Sequence, residues 1–212
     1  MRTRLSVKLI IALLAVAIAF SAIFALELGA ETVQGTFGEG DNLKWSVDTS
    51  AGVLSISGEG DMSDFSSPEL TPWAEFADLI VILNIGEGVL SVGKYAFAEL
   101  DRLGAVSLPS TLVSIGERAF YSCDSLRSLT LPDSLVLIGD FAFCGCVDLR
   151  VLKVGDSLKD IGASAFRGCY SLGVVDLPDS LKDIGDNAFS GCQSLRQVTI
   201  GSGLALVGEE SF

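Results

Sequence analysis

The chain has 212 residues, and acidic side chains outnumber basic ones by 27 to 14, which gives a formal net charge of −13. A field of this sign repels nucleic acid and anionic lipid headgroups, so the composition argues against phosphate-binding roles. The sequence contains no histidine, which excludes histidine-based catalytic triads, histidine-ligated zinc and the usual histidine pH switch.

The first predicted element is an apolar segment at the N-terminus. Three basic residues precede an uncharged run over residues 9–26, an order that is typical of an export signal. The run is also just long enough to cross a bilayer, so residues 1–30 are predicted to be either a cleaved signal peptide or a retained membrane anchor. Both alternatives place residues 31–212 outside the cytoplasm, secreted or at the cell surface.

Residues 31–79 are predicted to form a small β-rich capping module. Two alternating runs, 43–47 and 53–57, are rich in β-forming residues and are separated by a polar turn segment, which is a hairpin signature. A solenoid exposes an apolar end unless something covers it, so this module is expected to cover the first repeat. The packing residues of the cap are predicted to be its large aromatic side chains, Trp45, Phe65 and Trp73.

From residue 80 to residue 212 the sequence repeats every 23 residues. The copy at residues 115–137 shows the pattern in full, with a Leu-x-x-Leu-x-Leu run, a corner at Pro (Gly in other copies) and a Gly-x-x-Ala-Phe-x-x-Cys segment. Alternating leucines have the period of a strand, and proline ends it because proline cannot donate a ladder hydrogen bond. The Ala-Phe segment is predicted to form a short helical turn with Ala, Phe and Cys facing inward. A strict period of this length indicates a solenoid, whose stacked units bury a core that one unit cannot.

Four of the five cysteines recur at the repeat period and therefore form a column. A column does not converge on a point as zinc ligands do. Neighbouring units are close enough for some disulfides, but the equivalent residue in the first copy is Leu100, which favours buried free thiols. Cys144 lies at a variable position and is predicted to be exposed, as a reactive thiol or one that forms an intermolecular bond. The predicted buried column consists of Cys123, Cys146, Cys169 and Cys192.

The repeat Leu-x-x-Leu-x-Leu-Pro-x-Ser-Leu-x-x-Ile-Gly-x-x-Ala-Phe-x-x-Cys resembles the BspA-like class of leucine-rich repeats over about residues 80–212. The cap is similar to the β-rich module that often precedes such arrays, through Trp45, residues 54–62 and the Pro72-Trp73 pair. The resemblance implies a curved solenoid and an exported surface protein that binds a protein or a glycan. One position departs from the common leucine-rich template, with serine where a ladder asparagine often stands, at Ser134, Ser157 and Ser180.

The positions that vary between copies, while the core positions stay constant, are the predicted binding surface. They flank the strand leucines, so stacking places them side by side on an outward sheet face suited to an extended partner. For any one of these residues a solvated strand position is the simpler interpretation, and the prediction applies to the strip as a whole. The predicted strip consists of Ala105, Ser107, Ser128, Thr130, Val151, Lys153, Val174, Asp176, Gln197 and Thr199.

The sequence therefore predicts a non-catalytic, exported leucine-rich repeat protein that mediates adhesion through binding of an extracellular protein or glycan. A structural spacer or envelope component is the alternative. A carbohydrate-active enzyme is less favoured, because Asp160 and Asp183 occupy equivalent repeat positions and have no opposed environments.

No cofactor, metal site or nucleic-acid partner is predicted, and the membrane would be contacted only through an uncleaved N-terminal segment. The last residue, Phe212, lies six residues into another repeat. This position predicts a truncated array or, through the uncapped apolar end, end-to-end self-association.

Overall fold

The structure is a computed structural model and describes residues 32–212. The predicted signal peptide or anchor, residues 1–30, lies outside the described residues. Among the residues that are described, no helix has the length and apolar character needed to span a membrane. The described chain is a stack of β-strand units that follows an N-terminal cap, as the 23-residue period predicts.

The cap is built from three antiparallel strands, of which β2 and β3 form the predicted hairpin. The strand that precedes them, β1, was not predicted, because its alternation is weakened by Gly35. Three short 3-10 helices accompany these strands: Glu39–Asp41 lies between the first two strands of the cap, and Pro68–Leu70 and Ala74–Leu79 connect the cap to the array. The cap strands are β1 (Thr32–Phe37), β2 (Leu43–Asp48), β3 (Val53–Gly58) and the short β4 (Gly60–Asp61).

Each repeat contributes two strands, and most of these strands pair in parallel with their equivalents in the neighbouring repeats. The first strands carry the leucine pattern: β5 (Ile82–Ile85), β7 (Ala105–Ser107), β9 (Ser128–Thr130), β11 (Val151–Lys153), β13 (Val174–Leu177) and β15 (Gln197–Ile200). The second strands follow the corner: β6 (Val89–Val92), β8 (Ser114–Ile115), β10 (Leu137–Ile138), β12 (Asp160–Ile161), β14 (Asp183–Ile184) and β16 (Leu206–Val207).

The cap joins the array through its sheets. Strand β3 pairs in parallel with β5, which gives a five-stranded sheet of order β1-β2-β3-β5-β7. Strands β9, β11, β13 and β15 form a four-stranded sheet beside it, and the second strands form a seven-stranded sheet from β4 to β16. The cap thus supplies the first unit of the solenoid as well as its cover.

The Gly-x-x-Ala-Phe-x-x-Cys segment is reduced to single turns rather than a continuous helix. Arg118 and Ser122 have left-handed φ angles of 53° and 54°, which a right-handed helix does not accommodate. Alternate amides donate instead to the next repeat, as from Phe120 N to Ala142 O at 2.8 Å. The same bonds recur in the neighbouring copies, so this segment forms a third hydrogen-bonded ladder along the stack.

A column of stacked phenylalanine rings runs through the core. The ring centroids of Phe120 and Phe143 are 5.1 Å apart with planes 5° from parallel. Trp73 extends the column into the cap, 5.3 Å from Phe97, and its Nε1 donates to Ala96 O at 2.9 Å. The predicted packing role of the cap aromatics is confirmed, since Trp45 and Trp73 are buried and Phe65 is partly buried against the core.

The cysteine column is confirmed as a set of free, buried thiols. The Cys146 thiol donates to Phe120 O at 3.3 Å, and equivalent bonds hold the other three. Burial raises the pKa of Cys146 to about 12, so the group behaves as a small apolar side chain. The prediction that Cys144 is exposed was wrong: it is half-buried, because the third ladder brings the neighbouring turns against it.

Candidate functional site

The predicted strip lies on the outward face of the first strands. Within β9, Leu129 points into the core while Ser128 and Thr130 on either side of it are exposed. The same alternation occurs in each first strand of the array, because successive side chains of a strand point to opposite faces. Every predicted strip residue is exposed except Val174, which is half-buried.

Register pairing sorts the outward face into two rows that run across the strands. The first, called here the aliphatic row, contains Val53, Ile82, Ala105, Ser128, Val151, Val174 and Gln197. The second, called the polar row, contains Gln34, Ser46, Ser55, Asn84, Ser107, Thr130, Lys153, Asp176 and Thr199. The two rows continue from β7 to β9, which lie side by side.

Both rows extend beyond the predicted strip onto the cap. Ile82 and Asn84 precede Ala105 and Ser107 by one period, so the repeat spacing itself could have identified them. The cap members could not be found in that way. Val53 pairs with Ile82 across 29 residues, outside the period, through the parallel pairing of β3 with β5.

The polar row is available for intermolecular contacts. Among the described residues, none of its side chains forms a hydrogen bond or ion pair with another protein group. Exposed hydroxyl, amide and charged groups that are bonded to water can exchange that water for a ligand. The face therefore offers hydrogen-bonding groups along one row and aliphatic contact along the other.

The repeat pattern matches the family model for the BspA-type leucine-rich repeat region in six copies over residues 85–212. The chain belongs to the BspA-type leucine-rich repeat family. A comparison with curated protein sequences finds no match.

Solved structures of leucine-rich repeat proteins share the fold. A Eubacterium ventriosum protein is 24% identical with a TM-score of 0.70 over 81% of this chain and 45% of that one. The Treponema pallidum protein TpLRR is 23% identical with a TM-score of 0.62 over 81% and 85%. A leucine-rich cell surface protein from Faecalibacterium prausnitzii is 22% identical with a TM-score of 0.64 over 84% and 52%. The chain spans about half the length of the first and third of these proteins.

Four of the corners that follow the first strands of this BspA-type array carry a carboxylate, and this column is called here the acidic rim. Three of these carboxylates, those of Glu87, Asp133 and Asp179, accept a backbone N–H from the next unit, for example Ser202 N to Asp179 Oδ1 at 2.6 Å. That backbone bond, with the Ser202 hydroxyl, lowers the pKa of Asp179. These groups satisfy amides at the corner, which is a structural role. The acidic rim consists of Glu87, Asp133, Asp156 and Asp179.

A second group of carboxylates lies at the turn before the first strands. Partial burial is the main reason that the pKa of Asp124 is raised, and repulsion from Asp101 and Asp148 adds to it. Asp160 and Asp183, named above for the enzyme alternative, pair in register on adjacent second strands and are both half-buried. Among the described residues no cluster of three or more His, Cys, Asp or Glu side chains is arranged to hold a metal ion.

The face of the last unit has a groove of about 510 Å³. Its apolar lining consists of core positions that, in each earlier unit, are covered by the following unit. Phe212 is 51% exposed there. The lining includes Phe189, Cys192, Leu195, Val198, Ile200 and Phe212. The predicted end-to-end self-association through this face stays a prediction.

Proposed function

We propose that this BspA-type repeat protein is a non-catalytic adhesion module that acts outside the cytoplasm and binds a protein or glycan through the two rows of its outward sheet face. The observation that carries the proposal is the polar row, whose side chains bond to no other described group, beside the aliphatic row, most of whose residues are exposed. Together they form one surface across cap and array, on a scaffold whose recurring Ala, Phe and Cys side chains are used for the core.

Two further observations support a surface location. The N-terminal basic region and apolar run have the pattern of an export segment. The F. prausnitzii protein with the same fold is described as a cell surface protein. A surface binding protein also needs no catalytic pocket, and a nearly flat sheet face suits an extended partner.

The test is a binding screen of the full, exported chain against arrays of extracellular proteins and glycans. We expect at least one ligand whose binding is abolished by the pair A105W and S128W, which places bulky uncharged rings on the face. The matched control is V113W, which places the same ring on the opposite sheet, where Val113 is 44% exposed. It should leave binding unchanged.

A ligand that binds equally well to A105W/S128W would place recognition on another surface and overturn the assignment of the face. A folded protein that binds nothing on either array would favour the structural spacer. The folded state of each variant is checked by its urea unfolding midpoint.

A further inference from the structure

Three arginines lie in register immediately before strands β9, β11 and β15, at Arg127, Arg150 and Arg196. The backbone ties them to the stack, since Arg150 N donates to Arg127 O at 2.9 Å and Arg196 N donates to Gly173 O at 3.0 Å. All three are exposed and border the outward face where its strands begin. This column is called here the basic rim.

The basic rim is unpaired in a strongly acidic protein. Outside residues 1–30 the chain has 26 acidic and 11 basic side chains, yet no described carboxylate lies within ion-pair distance of these arginines. By contrast, Lys94 and Arg118 on another side of the stack both pair with Glu117. Arg127 and Arg150 are like charges on adjacent strands, which repel, and Gly173 separates them from Arg196. Asp124 and Asp148 lie in the preceding turns but outside ion-pair distance, so the three guanidinium groups are available to a ligand.

The basic rim differs from the acidic rim at the other end of the same strands. Three of the four acidic carboxylates, those of Glu87, Asp133 and Asp179, accept backbone amides of the next unit, whereas the guanidinium groups make no hydrogen bond with any described residue. Lys153, in the polar row at the end of β11, is a further exposed cation of the same face. A carboxylate-bearing ligand would therefore be attracted to one specific edge of the face.

The spacing of the units favours a polysaccharide over a polypeptide. Neighbouring strands are about 4.8 Å apart, whereas an extended peptide presents same-side side chains every ~6.7 Å and would fall out of step with the units. One sugar unit of an extended chain is about as long as one strand spacing. Its hydroxyl groups match the serine and threonine side chains of the polar row, and its C–H surface matches Val151 and Val174.

We propose that the outward face binds an acidic polysaccharide of uronate units that runs along the stack with its carboxylates on the basic rim. Guanidinium groups bind carboxylates through two parallel, charge-assisted hydrogen bonds. The strip contains no aromatic side chain, so charge and hydroxyl contacts carry the recognition instead of stacking. The proposal rests on the proposed function and names the substrate class of that same surface.

The experiment measures binding of the full chain to oligogalacturonate, to its neutral methyl ester and to poly-glutamate. The triple variant R127Q/R150Q/R196Q should weaken oligogalacturonate binding by about tenfold or more, as expected for the loss of three exposed charge pairs. The control variant K159Q/R167Q/K182Q removes the same charge from other sides of the stack and should change affinity by less than about twofold. The wild-type protein should bind the methyl ester and poly-glutamate much more weakly.

Equal weakening by both triple variants would show that net charge alone controls binding, which overturns the proposal. Equal binding of poly-glutamate would overturn it in favour of an acidic polypeptide. If oligogalacturonate does not bind while an array ligand is still blocked by A105W/S128W, the uronate assignment fails and the proposed binding function stands. If neither oligogalacturonate nor any array ligand binds, the uronate assignment and the proposed binding function both fail.

Discussion

The cap and the repeat array bury aromatic side chains in two different ways. In the array, Phe143 stacks face to face on both neighbours, with planes 5° and 6° from parallel. In the cap, Trp73 stacks on Phe97 but meets Phe37 and Phe65 edge-on, at 81° and 74°. A strict period repeats one geometry, so each ring must accept the same ring on both sides. The cap ends the column because its rings turn their edges toward the stack.

The largest expected effect is at a stacked ring in the middle of the array. The change F143A removes a fully buried ring that two others contact, and we expect a loss of about 3–5 kcal/mol in the free energy of unfolding. F143L, which keeps most of the volume, should lose less. Urea unfolding followed by circular dichroism measures both. A loss below about 1 kcal/mol would mean that neighbouring units close the gap, and that stacking is not what holds the array.

A smaller effect is expected where the column enters the cap. W73F keeps a ring on Phe97 but removes the indole N–H that Ala96 O accepts, at a cost of about 1–3 kcal/mol for a buried carbonyl left unpaired. The same unfolding experiment tests it. If W73F were neutral, Trp73 would act only as one more ring of the column, and the distinction between cap and array at this position would disappear.

The close stacking of units predicts that a substitution at an array glycine lowers the free energy of unfolding about as much as W73F does. A Cβ at Gly162 would lie 2.6 Å from Asp140 N in the preceding unit, whereas one at Gly173 meets nothing nearer than Ser194 O at 4.0 Å. We expect G162A to destabilise by about 1–3 kcal/mol through overpacking, and G173A to be neutral or slightly stabilising. The difference between their urea midpoints is the measurement, and equal midpoints would contradict the tight packing of backbone against backbone.

The smallest effects concern two aspartates with opposite pKa shifts. In the cap, N–H donation from Ala51 and the Ser50 hydroxyl lower the pKa of Asp48. Its stabilising contribution is present at neutral pH and is lost as pH falls through the lowered folded-state pKa. In the array, burial raises the pKa of Asp124, so ionisation costs stability as pH rises above the ordinary value.

These shifts predict opposite results for the two amide variants. D48N should lower the unfolding midpoint at pH 7. D124N should raise the free energy of unfolding at pH 7, by less than about 1 kcal/mol because the Asp124 carboxyl group is largely exposed. Both differences should vanish well below the ordinary aspartate pKa of 3.8, where every form is neutral. A D124N gain that persisted in acid would show that packing, not charge, is responsible.

The parts of the fold that sequence reasoning found were those that repeat or alternate. The hairpin β2–β3 followed from alternation within 43–47 and 53–57, and the buried thiols followed from their column and from Leu100. Strand β1 was not predicted, because Gly35 in its middle weakens the alternation of apolar and polar residues. The outward strip was located in the array, but its continuation onto Val53 and Ser55 was not, since the period does not extend into the cap.

The sequence by itself determined the stacking of units and the identity of the core columns, because a strict 23-residue spacing places identical side chains above one another. Only the tertiary structure decided how Arg118 and Ser122 turn left-handed to form the third ladder, since their amides are satisfied by a neighbouring unit and not by local bonds. It also decided which charges are free. Three carboxylates of the acidic rim accept backbone amides and the guanidinium groups of the basic rim make no such bond, and this difference depends on where each corner meets the next unit.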